Sequence, residues 1–158
     1  MDRSSLHLVC PHCLAVNRVS ADRPAERAKC GTCRRPLFEG RPYPVTTESF
    51  ERHRTRNDIP LVIDFWAPWC GPCHAMGPAF ERAAGELEPA YRLLKVNIDE
   101  EPAVAERFGV HGIPLLMLFA HGEPAVQTAG AMSTAGIVSW VRAHAQERQS
   151  ANSAGIVG

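Results

Sequence analysis

All six cysteines of this chain stand in C-x-x-C pairs, and this pattern constrains its structure more than any other feature. The pairs are Cys10/Cys13, Cys30/Cys33 and Cys70/Cys73. A C-x-x-C pair either supplies two thiolates to a metal ion or cycles between dithiol and disulfide. The amino terminus, MDRSSLHLVC, shows no signal peptide, and no segment approaches the roughly 18 apolar residues of a membrane span. We therefore expect a cytoplasmic protein with no membrane partner, in which structural disulfides are rare and each pair is metal-binding or redox-active.

The charges of the chain balance overall but not along its length. Its 158 residues include 17 basic and 17 acidic side chains, which argues against a surface dedicated to nucleic acid or anionic lipid. Up to Pro42, however, eight Lys and Arg stand against four Asp and Glu. One alternative therefore stays open, in which this segment recruits nucleic acid or protein and the thiols are secondary. Its basic side chains would be Arg23, Arg27, Lys29, Arg34, Arg35 and Arg41.

The first two pairs have the spacing of a four-cysteine zinc site. Sixteen residues separate Cys13 from Cys30, within the range for two knuckles that supply two thiolates each. Tetrahedral Zn²⁺ would stabilise a segment that has few large apolar residues. His7 or His12 could replace a thiolate, and the alternatives are redox-active pairs or unligated thiols in a disordered leader. The sequence predicts one zinc ion, structural or redox-sensing, with four ligands: Cys10, Cys13, Cys30 and Cys33.

The third pair lies in a different setting, between a predicted buried strand and a predicted helix. Residues 60–66, PLVIDFW, form a short apolar run typical of a buried strand. Unpaired N–H groups and the helix dipole at the start of the following helix favour an anion, which lowers the pKa of a thiol there. Cys70 is therefore the predicted nucleophile, and Cys73, one turn later, is the less exposed resolving thiol. Gly71 and Pro72 shape the turn between them.

The remaining pattern predicts a mixed α/β domain after a small amino-terminal module. Expected helices span about 46–57, 70–88, 101–109 and 133–147, and expected strands span 60–66, 91–99, 114–120 and 124–130. This order means a mixed central sheet covered by helices on both faces, with Pro124 placing the last strand at an edge and Pro78 kinking the second helix. The predicted division is a zinc-binding module (1–42), a larger domain (43–148) and a flexible tail (149–158), with the Gly- and Pro-rich segment 38–44 at the boundary.

The segment VIDFWAPWCGPC, residues 62–73, resembles the active-site strand and motif of the thioredoxin family. The similarity extends over about residues 44–147, where KVNID, GIP and GA follow in the family's order, and the cysteine-rich segment resembles that of its two-domain bacterial members. The resemblance implies a thioredoxin fold and a reductase of disulfide-containing protein substrates. It also implies recycling by an NADPH-dependent thioredoxin reductase. The chain itself has no dinucleotide-binding fingerprint, so we expect no bound organic cofactor, and we expect a monomer.

The resemblance also assigns roles outside the cysteine pair. Asp64 matches the family's buried carboxylate, which helps to move the proton of the resolving cysteine, and desolvation is expected to raise its pKa. Lys95 matches the lysine beside that carboxylate. The alternatives are a solvated Asp at a strand end and a plain surface lysine. Pro114 is expected to follow a cis peptide bond, and Trp66 belongs either to the groove or to the core. The substrate groove comprises Trp69, Gly71, Pro72, Gly112, Ile113, Pro114 and Gly130.

A few residues depart from the family pattern. Leu115 stands where Thr usually follows the cis-proline, and we expect it to alter packing under the groove more than chemistry. His74 stands where Lys or Arg is common, and it either influences the thiolates modestly through its own titration or is an idle exposed side chain. Arg34 and Arg35 follow the last zinc ligand, where small residues are common, and we do not expect them to prevent binding.

Other activities remain open from the sequence. An oxidase or isomerase would use the same cysteines, although the Gly-Pro dipeptide and the expected compartment favour reduction. A zinc-linked redox switch or holdase is a further role to consider, because strong oxidants would consume the thiolates and release the metal.

Overall fold

The computed structural model of the chain describes residues 5–20 and 22–144. The predicted tail and residues 145–147 of the last predicted helix lie outside this part. The helices and strands predicted after residue 43 are confirmed, with bounds that differ by one or two residues. In chain order, the elements are β1 (Ser5–Val9), β2 (Val16–Ser20), a 3-10 turn (Ala25–Arg27), β3 (Tyr43–Pro44), α1 (Thr47–Arg56), β4 (Leu61–Trp66), α2 (Gly71–Leu87), β5 (Arg92–Asn97), α3 (Pro102–Arg107), β6 (Leu115–Ala120), β7 (Glu123–Ala129) and α4 (134–144).

The larger domain, here residues 43–144, is built on a five-stranded mixed sheet. Its strand order is β3-β5-β4-β6-β7; β5 runs parallel to β3 and β4, whereas β6 is antiparallel to β4 and β7 is antiparallel to β6. One apolar cluster on the sheet includes Phe50 of α1 and Val104 of α3, and a second includes Phe80 of α2 and Ile137 of α4. The predicted sheet with both faces covered is confirmed, and Pro124 does lie in an edge strand.

Local sequence signals explain where the helices begin. Thr46 caps α1 through a reciprocal pair of hydrogen bonds: Ser49 N donates to Thr46 Oγ1 (3.1 Å), and Thr46 N donates to Ser49 Oγ (2.8 Å). Helix α2 starts immediately after Cys70, has Pro72 in its first turn and continues through Pro78. Proline is tolerated in a first turn because the N–H that it lacks would be unpaired there.

The amino-terminal module, residues 5–42 as far as they are described, has more structure than the sequence predicts. Strands β1 and β2 of the module form an antiparallel hairpin. An apolar cluster around Leu8, Leu37 and Phe38 also includes Ile59 of the larger domain. The module therefore has a small apolar cluster, which it completes with a residue of the larger domain. The boundary segment 38–44 is also part of the folded structure, because Tyr43 is buried and β3 pairs with β5.

The module packs against the end of the larger domain that lies away from the third cysteine pair. Helix α2 begins beside Cys70, and its 17 residues extend about 25 Å. Just beyond its other end, Gly40 N donates a hydrogen bond to Glu88 Oε1 (2.8 Å). Val9 N and His7 N donate to Asn57 Oδ1 (2.8 Å) and Asp58 Oδ2 (2.6 Å), directly after α1. These contacts of the module therefore lie beyond the end of α2 that is remote from Cys70, and just before β4.

Candidate active site and metal centre

Cys70 and Cys73 are joined in a disulfide at the start of α2. Cys70 is the N-cap of the helix, in an extended conformation, and its Sγ accepts a hydrogen bond from Cys73 N at 3.2 Å. Both are nearly buried, with 5% and 3% of their surfaces exposed. The predicted difference in exposure is thus small in the disulfide form. What distinguishes the two sulfurs is position, because Cys70 alone faces the unpaired N–H groups of the first turn.

An open surface surrounds the disulfide. Trp69, next to Cys70, is 67% exposed, and its indole Nε1 donates to Asp99 Oδ1 at 3.3 Å. A Cβ atom added at Gly71 or Gly112 would meet nothing within 4 Å. The exposed Pro72 continues this surface. An exposed indole beside uncrowded backbone is the kind of surface that another protein chain can contact.

The loop before β6 borders the same cysteine cluster. Ile113 packs against Cys70 and Cys73, and the Ile113–Pro114 peptide bond is cis, as predicted. Gly130 N donates to Pro114 O at 2.9 Å. Gly130 has φ +99, a backbone conformation that residues with a side chain rarely adopt. The predicted groove residues from the two loops are therefore brought together.

Asp64 lies inside β4 with only 1% of its surface exposed. Desolvation raises the pKa of its carboxyl to about 7, and the positive charge of Lys95 partly opposes this rise. Its Oδ1 atom is buried and has no hydrogen-bond partner among the described residues. The alternative of a solvated strand-end aspartate is wrong, and Lys95 is a neighbour of the carboxylate rather than a plain surface lysine.

Trp66 and His74 both contact this region. Trp66 packs in the cluster that contains Cys70 and Cys73, and Lys95 Nζ lies 4.9 Å from the centroid of its ring. The His74 ring meets Trp66 edge-on at 6.0 Å, and His74 Nε2 donates to Pro68 O at 2.6 Å. Trp66 is thus not core filling alone. His74 is exposed, as one interpretation had it, and it bonds to the segment that leads to Trp69.

Leu115 is buried in the apolar cluster on the α1 side of the sheet, with 5% of its surface exposed. It pairs with Phe65 across β4 and with Ala129 across β7. This position agrees with the expectation that its effect is on packing under the groove.

The four amino-terminal cysteines form one compact cluster. Their Sγ atoms all lie within 4.8 Å of one another, with Cys10 Sγ at 3.6 Å from Cys33 Sγ and Cys13 Sγ at 3.5 Å from Cys30 Sγ. Zinc–sulfur bonds of about 2.3 Å in a tetrahedron place the sulfurs about 3.8 Å apart. The cluster therefore has the size of a four-thiolate zinc site. His7 and His12 do not belong to it; they contact Asp58 and Glu39.

The two knuckles share one backbone design. In each, the residue after the second cysteine has a left-handed conformation, Leu14 at φ 66 and Arg34 at φ 69, and its N–H bonds to the carbonyl of the first cysteine. Glycine is favoured at such positions, but the turn is formed here with Arg34, so this departure from the usual pattern does not prevent it. Backbone N–H groups at His12 and Thr32 point to the sulfurs of Cys10 (3.4 Å) and Cys30 (3.3 Å).

The basic residues of the module do not act as one group. Arg35 is engaged with His12 at 3.2 Å, and Arg41 lies near Glu39 and over the ring of Tyr43. Arg23, Arg27 and Lys29 border a surface hollow together with Arg18. Among the described residues, no aromatic side chain lines that hollow, so it lacks a platform for stacked bases.

Sequence reasoning missed the residues that join the module to the larger domain. Arg92 has 0% of its surface exposed and His53 has 1%. His53 Nδ1 lies 2.9 Å from Asn57 Nδ2, and burial lowers the pKa of His53 to about 3. The one available signal was an arginine directly before two leucines of a strand predicted to be buried, since arginine is unusual at a buried position.

The fold and the cysteine pair define a thiol–disulfide oxidoreductase with a separate zinc-binding cysteine cluster. A family model described as Thioredoxin matches residues 41–143, and a zinc-ribbon model described as Thioredoxin 2, N-terminal, matches residues 9–35. The chain belongs to the thioredoxin family, in its two-domain form with an amino-terminal zinc ribbon. Its enzymatic class is protein-disulfide reductase. In the described part of the chain, no helix is both long and apolar enough to cross a membrane.

Individual relatives agree with this assignment. Thioredoxin C-3 of Corynebacterium nephridii is 31% identical over 142 residues, which are 90% of this chain and 97% of the relative. The thioredoxin of Rhodospirillum rubrum is 41% identical over 99 residues, or 63% of this chain and 95% of the relative. The solved structure of Malassezia sympodialis thioredoxin aligns with a TM-score of 0.61 at 28% identity and covers 68% of this chain and 93% of that chain. The first alignment is long enough to include most of the amino-terminal module.

Proposed function

We propose that this chain, acting as a monomer in the cytoplasm, reduces disulfides in other proteins through Cys70 and Cys73 and is recycled by an NADPH-dependent thioredoxin reductase. The observation that carries this proposal is the disulfide at the N-terminus of α2, beside the exposed Trp69. A disulfide in that position supports exchange with a second protein rather than a structural crosslink. The nicotinamide cofactor belongs to the reductase partner.

In the first step, the Cys70 thiolate attacks one sulfur of the target disulfide. The target S–S bond breaks, one target thiolate leaves and takes a proton from solvent, and Cys70 is joined to the target in a mixed disulfide. The N–H groups at the start of α2 stabilise the thiolate before the attack. The surface formed by Trp69, Gly71, Pro72, Gly112, Ile113, Pro114 and Gly130 holds the target chain.

In the second step, the Cys73 thiolate attacks Cys70 Sγ and releases the reduced target. Cys73 must first lose its proton, and we assign Asp64 as the group that accepts it. A carboxyl with a pKa of about 7 is well matched to this exchange near neutral pH. The pair has then given two electrons to the target and has become the Cys70–Cys73 disulfide.

The four amino-terminal cysteines would hold one zinc ion, and their thiolates are a second redox-sensitive group. A peroxide would oxidise two of them to a disulfide, with the peroxide reduced by the same two electrons to water or hydroxide. That disulfide would leave two thiolates in the cluster, too few to hold the metal. This chemistry supports an added role in the response to oxidative stress.

Insulin reduction by the full chain, with NADPH and thioredoxin reductase, tests the main activity. We expect NADPH to be consumed as insulin precipitates, and no consumption with Cys70→Ser. Substrate trapping tests the order of the cysteines: Cys73→Ser should accumulate mixed disulfides with targets, because the resolving thiol is missing. The opposite trapping pattern, with Cys70→Ser as the trap, would overturn the assigned order. A strongly oxidising reduction potential would favour the oxidase or isomerase instead.

A further inference from the structure

Arg92, the first residue of β5, is completely buried. Arginine is rarely buried without partners, because removing its charge from water is costly. Its Nε and Nη1 atoms nevertheless make no hydrogen bond in the described part of the chain. Hydrogen bonding alone therefore does not explain why a buried arginine occupies this position.

The guanidinium of Arg92 faces the amino-terminal module. Its Nη2 donates to Leu37 O at 2.7 Å and reaches Val9 O at 3.4 Å. The cation also lies 4.4 Å from the ring centroid of Phe38 and 5.6 Å from that of Tyr43. Val9 directly precedes the first cysteine of the cluster. Arg92 thus holds a peptide group adjacent to a metal ligand.

Two other side chains of the larger domain hold the same knuckle. Asn57 Oδ1 accepts from Val9 N at 2.8 Å, so that Val9 is held on both its N–H and its carbonyl side. Arg52 Nε donates to Leu14 O at 3.1 Å, immediately after Cys13. The first knuckle is therefore fixed at both ends by residues that do not belong to the module.

Charge gives Arg92 a role beyond position. Four thiolates and one Zn²⁺ leave a net charge of −2, and Cys10 and Cys30 both have 0% of their surface exposed. A buried negative charge is unfavourable unless a positive group lies nearby. The Arg92 guanidinium is a positive group that reaches the backbone directly beside Cys10, through Val9 O. Its own carboxylate partner, Glu88, is 3.6 Å from Nη1 and also accepts the Gly40 N–H.

We propose that Arg92 is a positioning residue of the zinc centre. It supplies counter-charge to the thiolate cluster and fixes the backbone beside Cys10, and so raises the affinity of the module for zinc. The proposal rests on the four cysteines holding the metal. Because such coupling is reciprocal, bound zinc should in turn stabilise the end of the larger domain where β5 begins.

The experiment measures zinc affinity in the full chain by competition with a chromophoric chelator. The variants are Arg92→Met, Arg92→Lys, and Arg92→Met combined with Glu88→Gln, which avoids leaving a buried carboxylate unpaired. Arg142→Met is the matched control, since Arg142 Nη2 also donates to a backbone carbonyl, Glu86 O at 3.4 Å, but in the larger domain alone. We expect both Met variants to bind zinc roughly 10- to 100-fold more weakly, Arg92→Lys to lose less, and the control to match wild type.

Thermal unfolding with and without zinc separates this role from general packing. The rise in Tm that zinc gives should shrink in both Met variants and stay unchanged in Arg142→Met. Met variants that bind zinc with wild-type affinity and lose the same Tm in both states would overturn the proposal and leave Arg92 as a packing residue. A wild-type chain that binds no zinc would overturn the metal centre itself, a failure visible before any variant is compared.

Discussion

Asp64 and Lys95 face each other across the parallel strands β4 and β5, where their Cα atoms are register partners. The pairing joins a carboxyl that is almost fully buried to a half-buried ammonium that also lies over Trp66. Desolvation dominates the balance, so the pKa of Asp64 stays raised, at about 7, despite the positive neighbour. The proposed proton acceptor is therefore half ionised near neutral pH.

Replacing Asp64 with Asn should stabilise the protein in a pH-dependent way. The folded state holds the Asp64 proton up to about pH 7, from an ordinary value of 3.8, so the folded chain binds more protons than the unfolded chain between these limits. The free energy of unfolding of the wild-type chain therefore falls as the pH rises from about 4 to about 7. We expect Asp64→Asn to be more stable by roughly 1 to 4 kcal/mol at pH 8 and by little at pH 4. Unfolding curves at both pH values check this, with Asp22→Asn as the exposed control.

The same variant should slow the second chemical step. Asn cannot accept the Cys73 proton, so release of the target from the mixed disulfide should slow, most clearly near pH 7. Stopped-flow fluorescence across pH 6 to 9 measures it. Unchanged kinetics over that range would leave Asp64 a structural residue only.

Removing the charge of Lys95 should shift the pH dependence of that step upward. Lys95 lowers the pKa of Asp64, so Lys95→Met should raise it above about 7. A one-unit rise would cut the ionised fraction at pH 7 roughly fivefold, and resolution should slow by a similar factor. Lys95→Arg keeps the charge and should retain the wild-type profile. An identical profile in Lys95→Met would show that the ammonium does not act on the proton transfer.

His74 should matter for protein substrates more than for small disulfides. Its Nε2–H bond to Pro68 O holds the segment that carries Trp69, and losing one such bond costs about 0.5 to 1.5 kcal/mol. His74→Ala should therefore raise the KM for insulin roughly two- to tenfold and leave the reaction with a small aromatic disulfide unchanged. His74→Gln keeps a donor and should recover most of the loss. Equal effects on both substrates would mean that His74 acts on the thiols and not on the groove.

Metal analysis should separate the three cysteine pairs. We expect one zinc per wild-type chain, one in Cys70→Ser/Cys73→Ser, and none when Cys10, Cys13, Cys30 and Cys33 are all replaced by Ser, because four thiolates complete the tetrahedron. Chelation should lower the Tm of the whole chain, since the module shares an apolar cluster with Ile59. Zinc retained by the four-serine variant would show that the pairs are wrongly assigned.

The sequence alone was sufficient to predict sites whose residues lie close together along the chain. A cysteine before a helix, a second one three residues later and an apolar strand ahead of them specify the redox pair. These features follow from helix and strand periodicity. The four-cysteine spacing indicated zinc for a similar reason, because each knuckle is a local turn that presents two sulfurs together.

Only the tertiary structure decided how the parts meet. Arg92 is 55 residues from Leu37, whose carbonyl it binds, and no periodicity relates such positions. The same holds for the hydrogen bond from Gly130 N to Pro114 O. Local patterns encode elements because their hydrogen bonds close within a few residues. The placement of the zinc ribbon at the far end of α2 depends on complementary apolar and charged surfaces that exist only once both parts have folded.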